Sequence, residues 1–468
     1  MSNLHHLRAA VLGLAVSLAA SAALAQGGIS QSMLTKIKKD NAQNASDRIL
    51  SNAMARYNIN DLALRANNPA SRDVWFSNEV PSKGISDQKQ SGRCWLFSGL
   101  NVMRSKMIKN YSLGEFQFSQ AYVFFYDQLE KSNLFLQAVV DNAKDPIDSQ
   151  QNAWLFQHPL SDGGTFCGVR DLVSKYGLVP AEVMPETTSA NNTSRMSQLI
   201  SLKLREFALE LRSMVAAGKK PAAIEARKAE QLSTVWHMLS ICLGTPPEKF
   251  TWTRRDASGK AVDTRDYTPR QFFEEYVGGD LKNDFVMLMN DPSRPYYKVY
   301  TVDMDRHVYD APDWTYLNLP MDEIEDIAIA SIKDSTMMYM SCDVGKFYDA
   351  KSGVLSLDNY DYGELLGTTF GMNKADRIRT GASASSHAMT LMAVDLATDG
   401  KAMKWKVENS WGPTAGQKGH LIMTDGWFRE YLFRLVPEKK YVPEATLQLM
   451  NQTPVRLPAW DPLFQGEE

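Results

Sequence analysis

The chain has 468 residues, 44% hydrophobic and 22% charged, a balance that builds globular domains and excludes intrinsic disorder. Its 51 Lys and Arg against 54 Asp and Glu leave a net charge of −3, so no general attraction to nucleic acid or an anionic membrane follows. Four cysteines are too few for a disulfide scaffold, and the length suits two or three domains.

The only long uncharged apolar run lies at the N-terminus, which argues against a multi-span membrane protein. Residues 1–25 read as a secretory signal. Arg8 and the α-amino group give a positive start, an Ala/Leu/Val-rich stretch follows from Ala9, and Ala23-Leu24-Ala25 is a cleavage pattern before Gln26. The product is expected in a periplasm or outside the cell, with no membrane association beyond the signal.

Residues 26–75 are polar and mixed, an N-terminal arm. A helical domain is expected over 76–190. Its periodicity starts at Cys94, where Trp95, Leu96, Leu100, Met103 and Met107 recur at helical spacing after the Ser91-Gly92 turn signal. A second helix is predicted over roughly 118–140, and Asp162-Gly163-Gly164 reads as a loop. Residues 191–285 read as a helical insertion, with two helices over 194–243 broken near Gly218-Lys219-Lys220-Pro221. Eight Lys/Arg against four Glu between 188 and 231 suit either a solvated helical pair or a basic lining for an acidic ligand. The texture then turns to β over 286–445. Strands are predicted at 297–302, 388–394, 404–408 and 421–423. Residues 446–468 form a C-terminal arm. The fold class is α+β, a helical half before a β half.

The chemistry centres on Cys94. A cysteine at a helix N-terminus is favoured as thiolate by free N–H groups and the helix dipole. It then needs a proton partner for the leaving group, and histidine is the usual choice. Of seven histidines, His5 and His6 fall in the signal, and His158, His237, His307 and His420 sit in no catalytic pattern. His387 lies at the mouth of an apolar strand, and Asn409-Ser410-Trp411-Gly412 follows 22 residues later. Trp405, Val407 and Asn409 alternate onto one face, so the Asn409 amide is placed to fix one nitrogen of His387 and leave the other toward Cys94. Trp411 is placed to keep water off that bond. Gln88, six residues before Cys94, is the candidate partner of the Cys94 backbone N–H in an oxyanion hole. Cys167, Cys242 and Cys342 read as free, although an oxidising compartment leaves a disulfide between two of them open. The cysteine spacing makes no metal site. Other catalytic signatures (H-E-x-x-H, G-x-S-x-G, G-x-x-x-x-G-K-[ST]) are missing, and neither metal nor cofactor is required.

Gln…Cys-Trp, then His, then Asn-Ser-Trp-Gly resembles the papain-like cysteine peptidases. The wider text resembles their bleomycin hydrolase and bacterial aminopeptidase C branch. Residues 88–97 match it, with Ser-Gly-Arg before the Cys. So do Asp162-Gly163-Gly164, Asn290-Asp291-Pro292, Cys342-Asp343-Val344-Gly345-Lys346, Met372-Asn373-Lys374-Ala375 and Leu457-Pro458-Ala459-Trp460-Asp461-Pro462. The resemblance covers roughly residues 60–468. It implies a helical domain and an antiparallel β-barrel-like domain meeting at a cleft, with Cys94 on one wall and His387 and Asn409 on the other. It further implies peptide substrates, homohexamers, and a C-terminal arm that restricts cleavage to the substrate N-terminus. The loop of Asp162, Gly163 and Gly164 is expected to offer backbone groups to an extended substrate, and the tail carboxylate, helped by Glu467 or Glu468, to meet its amine. Two features depart from the pattern: the family is mostly cytosolic whereas this chain reads as exported, and its tail ends Gly466-Glu467-Glu468. The reading is a cysteine aminopeptidase. The rivals are an endopeptidase of the same fold and a non-catalytic hexameric binding protein.

Overall fold

A computed structural model describes residues 27–71 and 73–462. The predicted signal segment and residues 463–468, including Glu468, lie outside them. The chain divides into two units. The smaller, residues 27–64 with 361–367, holds the short helices Gln31–Asp40, Ala45–Met54, Ile59–Ala63 and Tyr362–Leu366. Ser30, Asn44 and Asn58 each cap a helix by accepting the N–H three residues on, so the polar composition read as an arm is largely helix-start chemistry.

In the larger unit, the predicted helix at Cys94 spans Cys94–Tyr111 and is buried on nearly every face. The second spans Gln120–Asp141. Both pack in one apolar core with Phe166–Tyr176 and with the pair Ser194–Ala216 and Pro221–Leu243. Pro221 opens the last of these at its first position, where no N–H is needed, which explains the break seen in the sequence. Three of the basic residues here serve helix packing. Arg205 and Arg212 donate to the carbonyls of Phe156 and Asn142, and Arg227 pairs with Glu210.

The insertion is not all helical. Phe250–Arg255 and Ala261–Tyr267 form an antiparallel hairpin, followed by helix Pro269–Tyr276. Its turn is built by the Asp256 carboxylate, which accepts the N–H of Ser258 at 2.9 Å and of Lys260 at 3.1 Å. That Asx chemistry closes a strand pair in which only Phe250 and Trp252 alternate with polar residues, while Tyr267 is the single buried residue of the second strand, too short an apolar pattern to announce it.

The β half is one large mixed sheet where an antiparallel barrel was expected. His387–Leu396 lies at its centre, paired antiparallel with Met338–Cys342 on one side and Ala402–Glu408 on the other. Residues 387–395 are buried on both faces, so this strand reads as an almost unbroken apolar run. Three pairings are parallel, among them Val455–Leu457 on Lys298–Val302, which adds the C-terminal segment to the sheet edge. Beyond it Leu457 and Ala459 are buried, and Arg294, held by Asp291, donates to Asp461 at 2.5 Å. The Asn290-Asp291-Pro292 and Pro-Ala-Trp-Asp-Pro motifs are therefore two halves of one clamp.

The helix and sheet halves are joined by a buried ion pair. Arg104, from the Cys94 helix, donates to Glu408, the residue before Asn409, and the Ser82 hydroxyl donates to the same carboxylate. Removing one charge of such a pair leaves the other uncompensated, at about 3–5 kcal/mol. Glu408→Gln should lower the stability found by urea unfolding by about that amount. A shift under about 0.5 kcal/mol would show that the pair does not join the halves.

Candidate active site

Cys94 is the first residue of its helix, and Arg93 before it makes no side-chain cap. Arg93 instead turns inward. Its buried guanidinium takes both oxygens of Glu186 at 3.1 and 2.7 Å and the Ala190 carbonyl at 2.6 Å, between the rings of Phe97 and Phe124. The Ser-Gly-Arg turn is thus anchored from below, and the helix-start N–H groups are left to the thiol. Sγ of Cys94 accepts the Ala388 N–H at 3.5 Å. Burial nevertheless pushes the thiol up to about 11, outweighing the N–H groups of Ala388, Trp95 and Cys94 that favour thiolate. This corrects the sequence expectation: the helix start acts in the expected direction, but desolvation is larger.

His387 begins the central strand, facing Cys342 across it. Its Nε2 lies 2.8 Å from Asn409 Oδ1, which also accepts the Ser410 N–H at 2.8 Å. Because Ser410 N–H can only donate, the oxygen must be the atom at this position, and Nε2 therefore carries the proton. Nδ1 is left as the basic nitrogen. Trp411 stacks on the imidazole at 4.7 Å between centroids, a cover over the ring and not part of the cavity lining at Cys94. Burial pushes His387 down to about 4, with the Asn409 bond opposing.

Gln88 lines the same cavity as Cys94 and His387. Its Oε1 accepts the Ser410 hydroxyl at 2.6 Å, and one hydrogen of Nε2 goes to the Ser91 carbonyl at 2.6 Å. That fixes the amide and leaves the second Nε2 hydrogen for another acceptor. Ser410, quoted in the motif but given no role, is the residue that ties Gln88 to the Asn409 wall.

Asp162, Gly163 and Gly164 form another side of the cavity. Gly163 uses its backbone within the protein, N–H to Ser161 Oγ at 3.0 Å and carbonyl to Lys131 at 2.5 Å. Of the expected substrate-pairing loop, Gly164 is the residue whose backbone groups bond to no described residue. It must lack a side chain, because a Cβ there would enter the ring of His307. His307 is the component that motif reading missed. It is buried, packs at a tilt on Trp95 with 4.6 Å between ring centroids, and bonds Asp127 Oδ1 through Nδ1 at 2.5 Å. Burial raises Asp127, but Lys131 and His307 hold its carboxyl below the ordinary value. No sequence signal marked this pair, because its members lie 180 residues apart.

All four cysteines are free, and no cluster of metal-ligating side chains occurs among the described residues. The arrangement is suited to proton transfer from Cys94 to His387. Burial opposes each charge alone, but the transfer makes a thiolate and an imidazolium together, and each then stabilises the other. The active form carries one proton between the two groups. Adding a second proton to His387 inactivates it, so the acid limb of kcat/KM should lie below the ordinary imidazole value of 6.5. A limb above 7 would contradict the burial argument. Without its base, the thiol that burial pushes up has no neighbouring group to take its proton at pH 7. His387→Ala should therefore slow iodoacetamide alkylation of Cys94 by at least about tenfold at that pH.

The sequence profile of the Peptidase C1-like family matches residues 28–464. Bleomycin hydrolase of Mus musculus is 39% identical over 423 residues, 88% of this chain and 93% of that one. Aminopeptidase C of Streptococcus thermophilus is 36% identical over 437 residues, covering 93% and 98%. The crystal structure of PepW from Lactobacillus rhamnosis superposes with a TM-score of 0.90 at 37% identity, covering 94% of this chain and 99% of that one.

Proposed function

The chain belongs to the Peptidase C1-like family of papain-like cysteine peptidases, and we propose that it acts as an aminopeptidase that removes N-terminal residues from peptides. One observation carries the chemistry: Cys94, His387 and Gln88 line one cavity, with His387 oriented by Asn409 and Gln88 by Ser410.

The Cys94 thiol passes its proton to Nδ1 of His387, and the thiolate attacks the carbonyl carbon of the first peptide bond. The oxyanion takes the Cys94 backbone N–H and the free Nε2 hydrogen of Gln88. The imidazolium gives its proton to the departing amine, and the C–N bond breaks to leave a thioester on Cys94. His387 then takes a proton from water, whose oxygen adds to the thioester. Collapse releases the amino acid and returns the proton to sulfur. Asn409 holds the imidazole in one tautomer throughout, and Trp411 shields their hydrogen bond.

The exopeptidase restriction is assigned to the C-terminal arm. Ala459 lines a cavity that shares Gly163 and Gly164 with the one at Cys94, and this nearness of the arm to the glycine wall supports the reading. The assembly proposed is a homohexamer, and export is proposed with a mature N-terminus at Gln26, which N-terminal sequencing of the periplasmic fraction checks.

Cys94→Ala should abolish peptide hydrolysis with folding intact, and Gln88→Ala should lower kcat by about 10²–10³, the usual loss for one oxyanion donor. Undiminished turnover by Cys94→Ala would refute the assignment. Deleting residues 463–468 should admit N-acetylated peptides and internal bonds, read by mass spectrometry of the products. If the truncated enzyme still released only N-terminal residues at the same rate, the arm would not be the determinant.

A further inference from the structure

Asp162 was expected to contribute backbone groups, but its side chain has a position of its own. Oδ2 accepts the Gly92 N–H at 2.7 Å and the Thr193 hydroxyl, and the Asp162 carbonyl accepts Trp95 Nε1 at 2.9 Å. Oδ1 has no partner among the described residues. It lies against the face of Gly92 where a Cβ would stand, so only glycine admits it. Among the described residues that line the cavity at Cys94, Asp162 alone carries a formal charge once His387 is neutral.

The cations nearest this wall are already paired. Lys131 donates to the carbonyls of Ser161 and Gly163 and lies 3.1 Å from Asp127, with the His307 ring beside that carboxylate. Arg93 is taken by Glu186, and Lys89 by Asp87 at 2.5 Å. The Asp162 charge is therefore felt inside the cavity, and it opposes the Cys94 thiolate. A carboxylate that works against the nucleophile is unfavourable for a neutral substrate. It is favourable for a substrate that brings a positive charge to the first subsite.

We infer that the Asp162 carboxylate is a specificity determinant, attracting the free α-ammonium of the substrate and disfavouring N-blocked chains independently of the C-terminal tail. This rests on the aminopeptidase reading. Both carboxylate oxygens sit on the Gly92 turn, Oδ2 bonded to its N–H and Oδ1 packed against its Cα, so the charge is fixed in the wall of the cavity that holds Cys94. A unit-charge attraction at a partly screened site is worth about tenfold in kcat/KM.

The test uses Asp162→Asn in the full-length chain. Asn keeps an oxygen for the Gly92 N–H and removes only the charge. The ratio of kcat/KM for a free over an N-acetylated peptide should fall about tenfold, mostly through a lower value for the free peptide. A merely structural loss would lower both substrates alike. A second readout needs no peptide: the rate of Cys94 alkylation by anionic iodoacetate relative to neutral iodoacetamide should rise severalfold in Asp162→Asn. If Asp162→Asn folds poorly, the chain lacking residues 463–468 but keeping Asp162 serves instead, and it should retain about tenfold preference for free N-termini. If the wild type prefers free N-termini but Asp162→Asn keeps the whole preference and the same reagent ratio, the inference is overturned and the aminopeptidase reading stands. A wild type without any preference overturns the aminopeptidase reading, and this inference falls with it.

Discussion

Neither Cys94 nor His387 tolerates a charge alone where it lies. Burial holds the thiol up near 11 and the imidazole down near 4. The chemistry becomes accessible only if the proton moves between them, because that step creates two charges side by side and no net charge. The groups that touch the imidazole serve this constraint. The Asn409 oxygen fixes the proton on Nε2, which leaves Nδ1 to receive the one from sulfur. Trp411 covers the ring and maintains the desolvation that keeps the imidazole basic site neutral at rest.

Proton transfer of this kind depends on position, and the two residues come from opposite halves of the unit. Buried polar links hold the halves in register. Arg104 joins the Cys94 helix to Glu408, one residue before Asn409. Ser410 donates to Gln88, and its carbonyl accepts the Gln88 N–H at 2.8 Å, tying the oxyanion side to the asparagine side. Arg93 and Glu186 brace the turn from below. Behind the glycine wall, Asp127, His307 and Lys131 form a fourth bracing group. Each link places charged or amide groups where losing the partner would be expensive.

The candidate quartet of Gln88, Cys94, His387 and Asn409 could be picked out because its residues sit in short local motifs whose chemistry is particular: a Gln and a Cys six apart, a His at a strand mouth, an Asn ending an inward row. The long helices and the central strands were legible for a similar reason, since periodicity and apolar runs are local. What escaped the sequence was non-local or lacked an apolar signal. His307 looked featureless, since its partner Asp127 is reached only through the fold. The 250–267 hairpin buries little beyond Phe250, Trp252 and Tyr267, so its alternation was too short to reveal it. The thiol's high value escaped as well, because the helix start is visible in sequence whereas burial is not. The mixed sheet departs from the expected barrel where the C-terminal segment joins Lys298–Val302 in the parallel direction, a register decided by the whole chain.

The central claim is that Cys94 is the atom donor to a thioester, formed by proton transfer within a buried neutral pair. It is tested most directly by acid-quenching the enzyme during turnover of an amino-acid ester and locating the trapped acyl group by peptide mass spectrometry. The account predicts one aminoacyl group per chain, on the peptide that carries Cys94, and none in His387→Ala quenched at the same early time. An acyl group on any other residue, or steady product formation with no adduct on Cys94 under burst conditions, would contradict it.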